Sequence, residues 1–333
     1  MPLRSRALAT GFAALIVLSS ASALAQQDRD AAPNPTAQSV QEQQLLQQLR
    51  RIEGRVTIPD SRAGILEQPQ GREYQAFHEQ VLPWLGAIAI VAMLAALVIF
   101  YLVRGPIRLD RPPSRIKIKR FTLLERFTHW LTATSFIVLA ITGLNYVFGK
   151  RLLMPLTGPD AFATWSLWAK YLHNAFAWPF MLGLLLMAVL WLRDNVPDRY
   201  DLAWLKQFGG FLSNQHPPAR RFNAGQKLIF WSVVLGGLAL TASGIVLLFP
   251  SVADIGGIHI AQYVHAVSGV IMTAIMLAHI YIGTIGMEGA IDAMVSGEVD
   301  VEWAKEHHRA WVEEEQARTP EGPQLRKGAV PAE

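Results

Sequence analysis

The chain of 333 residues is 51% hydrophobic and only 17% charged, and it contains no cysteine. Low charge with long apolar runs indicates an integral membrane protein rather than a soluble one; zero cysteine excludes disulfides, thiolate-ligated iron–sulfur clusters and C-x-x-C-H haem attachment. The formal net charge of +4 arises from basic residues clustered beside apolar runs, which argues against a nucleic-acid partner.

Residues 1–25 read as an export signal: "MPLRSR" is a basic start, "ALATGFAALIVLSS" an apolar stretch, and "ASALAQ" offers a small-x-small cleavage site after Ala25. An uncleaved anchor is the other reading. Residues 26–80 are polar and glutamine-rich, either a tether or a small docking element. Five apolar runs follow, each long enough to span a bilayer: 81–103, 127–149, 171–192, 228–250 and one within 258–287. The fold expected is all-α, a four-helix membrane core over 127–287 with one extra N-terminal span at 81–103. A basic linker, 104–126, precedes the core, and a charged, helical tail, 288–333, follows it.

Basic residues orient the stack. Segment 104–126 holds eight Lys or Arg and segment 193–227 holds six, whereas 149–169 has only Lys150 and Arg151 and 250–262 has none. The rich segments are expected in the cytoplasm. Residues 26–80 are then periplasmic and the C-terminus cytoplasmic, whether or not the signal is cleaved.

The last span carries His265 and His279 within "YVHAVSGVIMTAIMLAHIY". Fourteen helical residues turn through about 1400°, roughly 40° short of four circles, so both imidazoles project from nearly one face. They are separated by a rise of roughly 21 Å, against a hydrocarbon thickness of ~30 Å. His129 lies at the cytoplasmic start of its span and His173 at the periplasmic start of the next. Each membrane face thus receives two histidines from different helices, which is what two stacked bis-histidine haems require. Gly143, Gly269 and Gly283 lie on the histidine-bearing faces and would either admit a flat macrocycle or serve ordinary helix packing. A di-iron carboxylate site lacks its acidic residues in the spans, and a zinc or copper site leaves the pairing at two depths unexplained. His78, His216, His259, His307 and His308 fall outside the spans and are expected to be solvated or interfacial.

"RFTLLERFTHW", "YLHNAFAWPF", "VPDRYDLAWL", "RRFNAGQKLIFW" and "VSGEVDVEWAKEHHRAW", with the last span, together resemble the gamma subunit of respiratory formate dehydrogenase. The resemblance runs from about residue 115 to 312. It implies a diheme b-type cytochrome in the bacterial inner membrane, taking electrons from an iron–sulfur beta subunit fed by a molybdenum or tungsten alpha subunit and reducing quinone. It assigns His173 and His265 to the periplasmic-side haem, and His129 and His279 to the cytoplasmic-side haem. Residues 1–103 lie outside the shorter form of that family. The quinone site is expected at Asn223, Gly225, Gln226 and His279. The amides would donate to a quinone carbonyl, and glycine would permit close approach. The bland alternative for "RRFNAGQK" is a helix start capped by Asn223. Two other functions share some features: a cytochrome b serving a NiFe-hydrogenase or thiosulfate reductase, and a proton-coupled transporter using histidines as a relay. The transporter lacks the carboxylates and broken-helix repeats it would need.

Overall fold

The computed structural model describes residues 69–211, 215–318 and 326–327. The expected signal segment 1–25 and most of the polar segment 26–80 lie outside the described residues.

Among the described residues the first helix begins at Pro69, well before the apolar run. α1 (Pro69–Ala76) passes through a π turn (Phe77–Val81) into α2 (Leu82–Arg104), and the whole from Gly71 is long and apolar enough to span. α3 (Leu123–Leu152) starts on a capping box, with Thr122 Oγ1 accepting from Glu125 N and Glu125 Oε2 from Thr122 N. After a single turn, α4 (Met154–Thr157), α5 (Pro159–Trp191) follows. α5 begins twelve residues before the apolar run at 171 because Gly158, at φ +83°, ends one turn and Pro159 opens the next helix. α6 (Arg199–Lys206) is short. α7 (Ala224–Leu248) and α8 (Ile255–Tyr281) complete the five helices among the described residues that are long and apolar enough to span, α8 running on through a π turn, Ile282–Gly286.

α3 packs along α5 and α7 along α8. Contacts of α5 with α7 and of α3 with α8 join these two hairpins into a four-helix bundle, and α2 lies outside against α8. Lipid explains the outer surface of α2, where Trp84, Ile88, Val91, Leu102 and Val103 are exposed.

The larger apolar core closes the end of the bundle where the basic segments gather. Ile118, Phe121, Trp191, Phe222, Phe230, Val299, Trp303 and Trp311 form it. It is assembled from the ends of α5 and α7, the linker, the loop before α7 and the tail. β1 (Ile116–Lys119) pairs antiparallel with β2 (Glu298–Asp300) and with β3 (Arg326–Lys327). The register sets Ile118 opposite Val299 in the core, and Lys117 and Lys119 opposite Asp300 and Glu298. Alternating apolar and opposite-charge pairs pin that register. This small sheet was not expected from an all-helical reading. Among the described residues the tail's helices are α9 (Asp292–Val295), α10 (Val301–His307) and α11 (Arg309–Arg318), the last two separated at His308.

Candidate functional site: paired imidazoles at two depths

The four spanning histidines meet in two pairs. His173 on α5 faces His265 on α8 with ring centroids 6.0 Å apart. His129 on α3 faces His279 on α8 at 6.1 Å. The first pair lies toward the end away from the basic segments, the second near them. A metal held between two imidazole nitrogens at about 2 Å each sets the ring centroids about 6 Å apart.

In the far pair, neighbouring helices set the tautomer. Thr142 Oγ1 lies 2.8 Å from His173 Nδ1 and 2.7 Å from Val138 O. Ser243 Oγ lies 3.0 Å from His265 Nδ1 and 2.6 Å from Ala239 O. Each hydroxyl has one hydrogen, donated to its own helix carbonyl, so it accepts from an Nδ1–H. Each Nε2 then keeps its lone pair for a metal. A glycine follows each hydroxyl. A Cβ at Gly143 would lie 3.5 Å from His173 Cε1, and one at Gly244 only 3.2 Å from His265 Cε1. Thr142-Gly143 and Ser243-Gly244 thus cradle the two rings in the same way. Spacing on a single helix could not find them, because each serves a histidine on another helix; the only sequence trace is a hydroxyl–glycine step within an apolar span. Gly143 therefore abuts an imidazole, whereas a Cβ at Gly269 would meet only Leu240 Cδ2 at 3.9 Å and one at Gly283 nothing within 4 Å. In the near pair, His129 Nδ1 is buried and has no hydrogen-bond partner among the described residues. Imidazoles paired across the bundle, with open backbone beside Gly269 and Gly283, fit bis-histidine haem.

The residues expected to bind quinone begin α7. Asn223 Oδ1 accepts from Gln226 N at 2.9 Å, and Gln226 Oε1 from Asn223 N at 3.1 Å, a reciprocal capping box. A Cβ at Gly225 would come within 2.6 Å of Trp204 Cη2, so this glycine admits the indole closely. The helix-start reading thus describes all three positions, and the cap engages only the amide oxygens.

Around this start lies a polar network built from the other motifs. Lys227, 5% exposed, reaches Asp198 at 2.9 Å and Asp201 at 2.8 Å, the two capping residues of α6. Arg221 bridges Glu125 and Asp194, each at 2.6 Å, and Trp191 Nε1 donates to the same Glu125 oxygen at 2.9 Å. Arg120 stacks 5.0 Å over Trp303 and donates to Arg221 O, to Gln226 Oε1 and to His308 Nε2. His308 corrects the sequence reading: it is 0% exposed rather than solvated, with Nδ1 2.7 Å from Arg220 O. Burial first, and the Arg120 guanidinium second, hold its imidazole well below the usual range, so it is neutral.

Residues 120–297 match the family described as prokaryotic cytochrome b561. The chain is 30% identical over 203 residues to the nitrate-inducible formate dehydrogenase cytochrome b556(Fdn) subunit of Escherichia coli (strain K12), covering 59% of this chain and 91% of that one. It is 31% identical over 205 residues to the formate dehydrogenase cytochrome b556(fdo) subunit of the same strain, covering 60% and 94%. It is 28% identical over 206 residues to the formate dehydrogenase cytochrome b556 subunit of Haemophilus influenzae, covering 60% and 84%. Paired histidines in a four-helix membrane bundle and these likenesses over the same region agree: the chain is a multi-pass membrane protein that belongs to the prokaryotic cytochrome b561 family, among the formate dehydrogenase cytochrome b556 subunits.

Proposed function

We propose that this protein is the quinone-reducing cytochrome b subunit of a respiratory formate dehydrogenase in the bacterial inner membrane. In this reading it anchors an iron–sulfur subunit and a molybdenum or tungsten subunit on the periplasmic side. The carrying observation is the two imidazole pairs, with ring centroids 6.0 and 6.1 Å apart, at opposite ends of one bundle. When bound, two b-type haems supply one-electron steps across the membrane between donor and quinone. His173 and His265 would hold the periplasmic-side haem, and His129 and His279 the cytoplasmic-side one. The basic segments at the second end support its cytoplasmic placement. With Asn223 and Gln226 oxygens spent on the cap, their NH2 groups are the donors for a quinone carbonyl, and the free ring nitrogen of His279 would assist. Quinone reduced there takes its protons from the cytoplasm, while formate oxidation releases its proton outside.

The test is a reduced visible spectrum of each alanine variant. His173→Ala and His265→Ala should each abolish one and the same haem, and His129→Ala and His279→Ala the other. Retention of both haems in any one variant would remove that residue from the ligand set.

A further inference from the structure

The tail, the linker and the loop before α7 bring four metal-ligating side chains together outside the bundle. His216, Glu306 and His307 each offer a donor atom, all within 4.8 Å of one another. His216 Nε2 lies 3.5 Å from Glu306 Oε1 and 2.9 Å from Asp110 Oδ2, and His307 Nε2 lies 3.9 Å from Glu306 Oε1. Bonds of 2.0–2.1 Å in a tetrahedral zinc site place neighbouring donors about 3.3 Å apart. The observed separations bracket that value. The Glu306 side chain is only 9% exposed. Its Oε2 accepts from Asp110 N at 3.1 Å, whereas its Oε1 is buried, aimed at the two imidazoles, and without a hydrogen-bond partner among the described residues.

We propose that Asp110, His216, Glu306 and His307 form a binding site for one divalent cation of the zinc class. Two imidazoles and two carboxylates suit such an ion, whereas magnesium and calcium prefer all-oxygen shells. A cavity of about 180 Å³ lined by Asp110, His216 and His307 gives access. Arg104 and Arg108 also line it. Two carboxylates neutralise a divalent ion, so these guanidiniums face a centre without net charge. The ligands come from three segments remote in sequence, so the ion would fasten the linker, the loop before α7 and α10 to one another. Its role is structural, and it does not depend on the haem or quinone assignments.

The test uses the full-length protein in detergent, as isolated with its haem. After stripping with a chelator, dialysis against zinc chloride should restore one zinc per chain. His307→Ala and Glu306→Gln should each weaken zinc binding more than about 100-fold while the haem bands stay unchanged. Equal zinc uptake by the wild type and a His216→Ala/His307→Ala double variant would overturn the proposal and leave a hydrogen-bonded polar cluster only. Should the variants lose their haem bands, and with them their fold, the wild type decides alone. Trypsin cleavage after the exposed Lys305 and Arg309 should slow at least about fivefold when zinc chloride is added to the stripped protein. Unchanged cleavage would overturn the proposal.

Discussion

At the residue scale, the hydroxyl–glycine steps do what spacing along one helix could not reveal. Thr142 and Ser243 hold Nδ1 of His173 and His265 from other helices. On the proposed ligation, removing either hydroxyl leaves Nε2 to hold the haem but frees the ring to turn and lowers its basicity. Thr142→Val and Ser243→Ala should therefore keep both haems while weakening retention of the far one by about 10–100-fold, measured by haem loss to apomyoglobin. Gly244→Ala should disturb the same haem by pressing on His265, because the added carbon would lie 3.2 Å from its Cε1. At the other end, Gln226→Glu probes the proposed quinone site. The carboxylate still accepts from Asn223 N and still meets Arg120, so the cap survives, while the NH2 donor is lost. Steady-state formate:quinone activity should fall about tenfold or more with both haems still reducible by formate, the scale of losing a hydrogen bond of about 1.4 kcal/mol or more. Undiminished activity would move the site away from this helix start.

At the element scale, the start of α7 is held by more than its own cap. Lys227 sits between Asp198 and Asp201 and ties α7 to α6. Lys227→Met would leave two carboxylates at a poorly hydrated junction without their cation. Destabilisation on the order of 3 kcal/mol is expected, seen as a lower midpoint for thermal loss of the near haem. Both α1–α2 and α5 extend well beyond their apolar runs. Apolar length reports how much chain lipid can cover, whereas the helix ends where its backbone groups find caps or a glycine turn, as at Gly158. That is why the spans were legible from sequence and their limits were not.

At the scale of the whole molecule, a membrane bundle is joined to a second, water-facing core made from segments far apart in sequence. Trp303 stands in that core beneath Arg120 and beside His308. Trp303→Ala should cost about 3–5 kcal/mol of local stability. Accelerated proteolysis of the tail, with the far haem unaffected, is the expected readout. Loss of both haems together would mean that the two cores unfold as one unit.

The sequence by itself determined the membrane class, the number of spans in the described chain, and the pairing of four histidines. Lipid imposes a length and an apolarity on every span, and helical geometry fixes the depth of each side chain within it. It also contained the string that starts α7, although by itself that string could be read as a cap or as a quinone site. Only the tertiary structure decided which side chains serve the imidazoles, that His308 is buried and neutral, that the tail adds two strands to the linker, and that Asp110 and His216 meet Glu306 and His307. Those facts depend on contacts between residues up to about two hundred positions apart, as from Asp110 to Glu306. Periodicity within one segment carries no record of its neighbour across space.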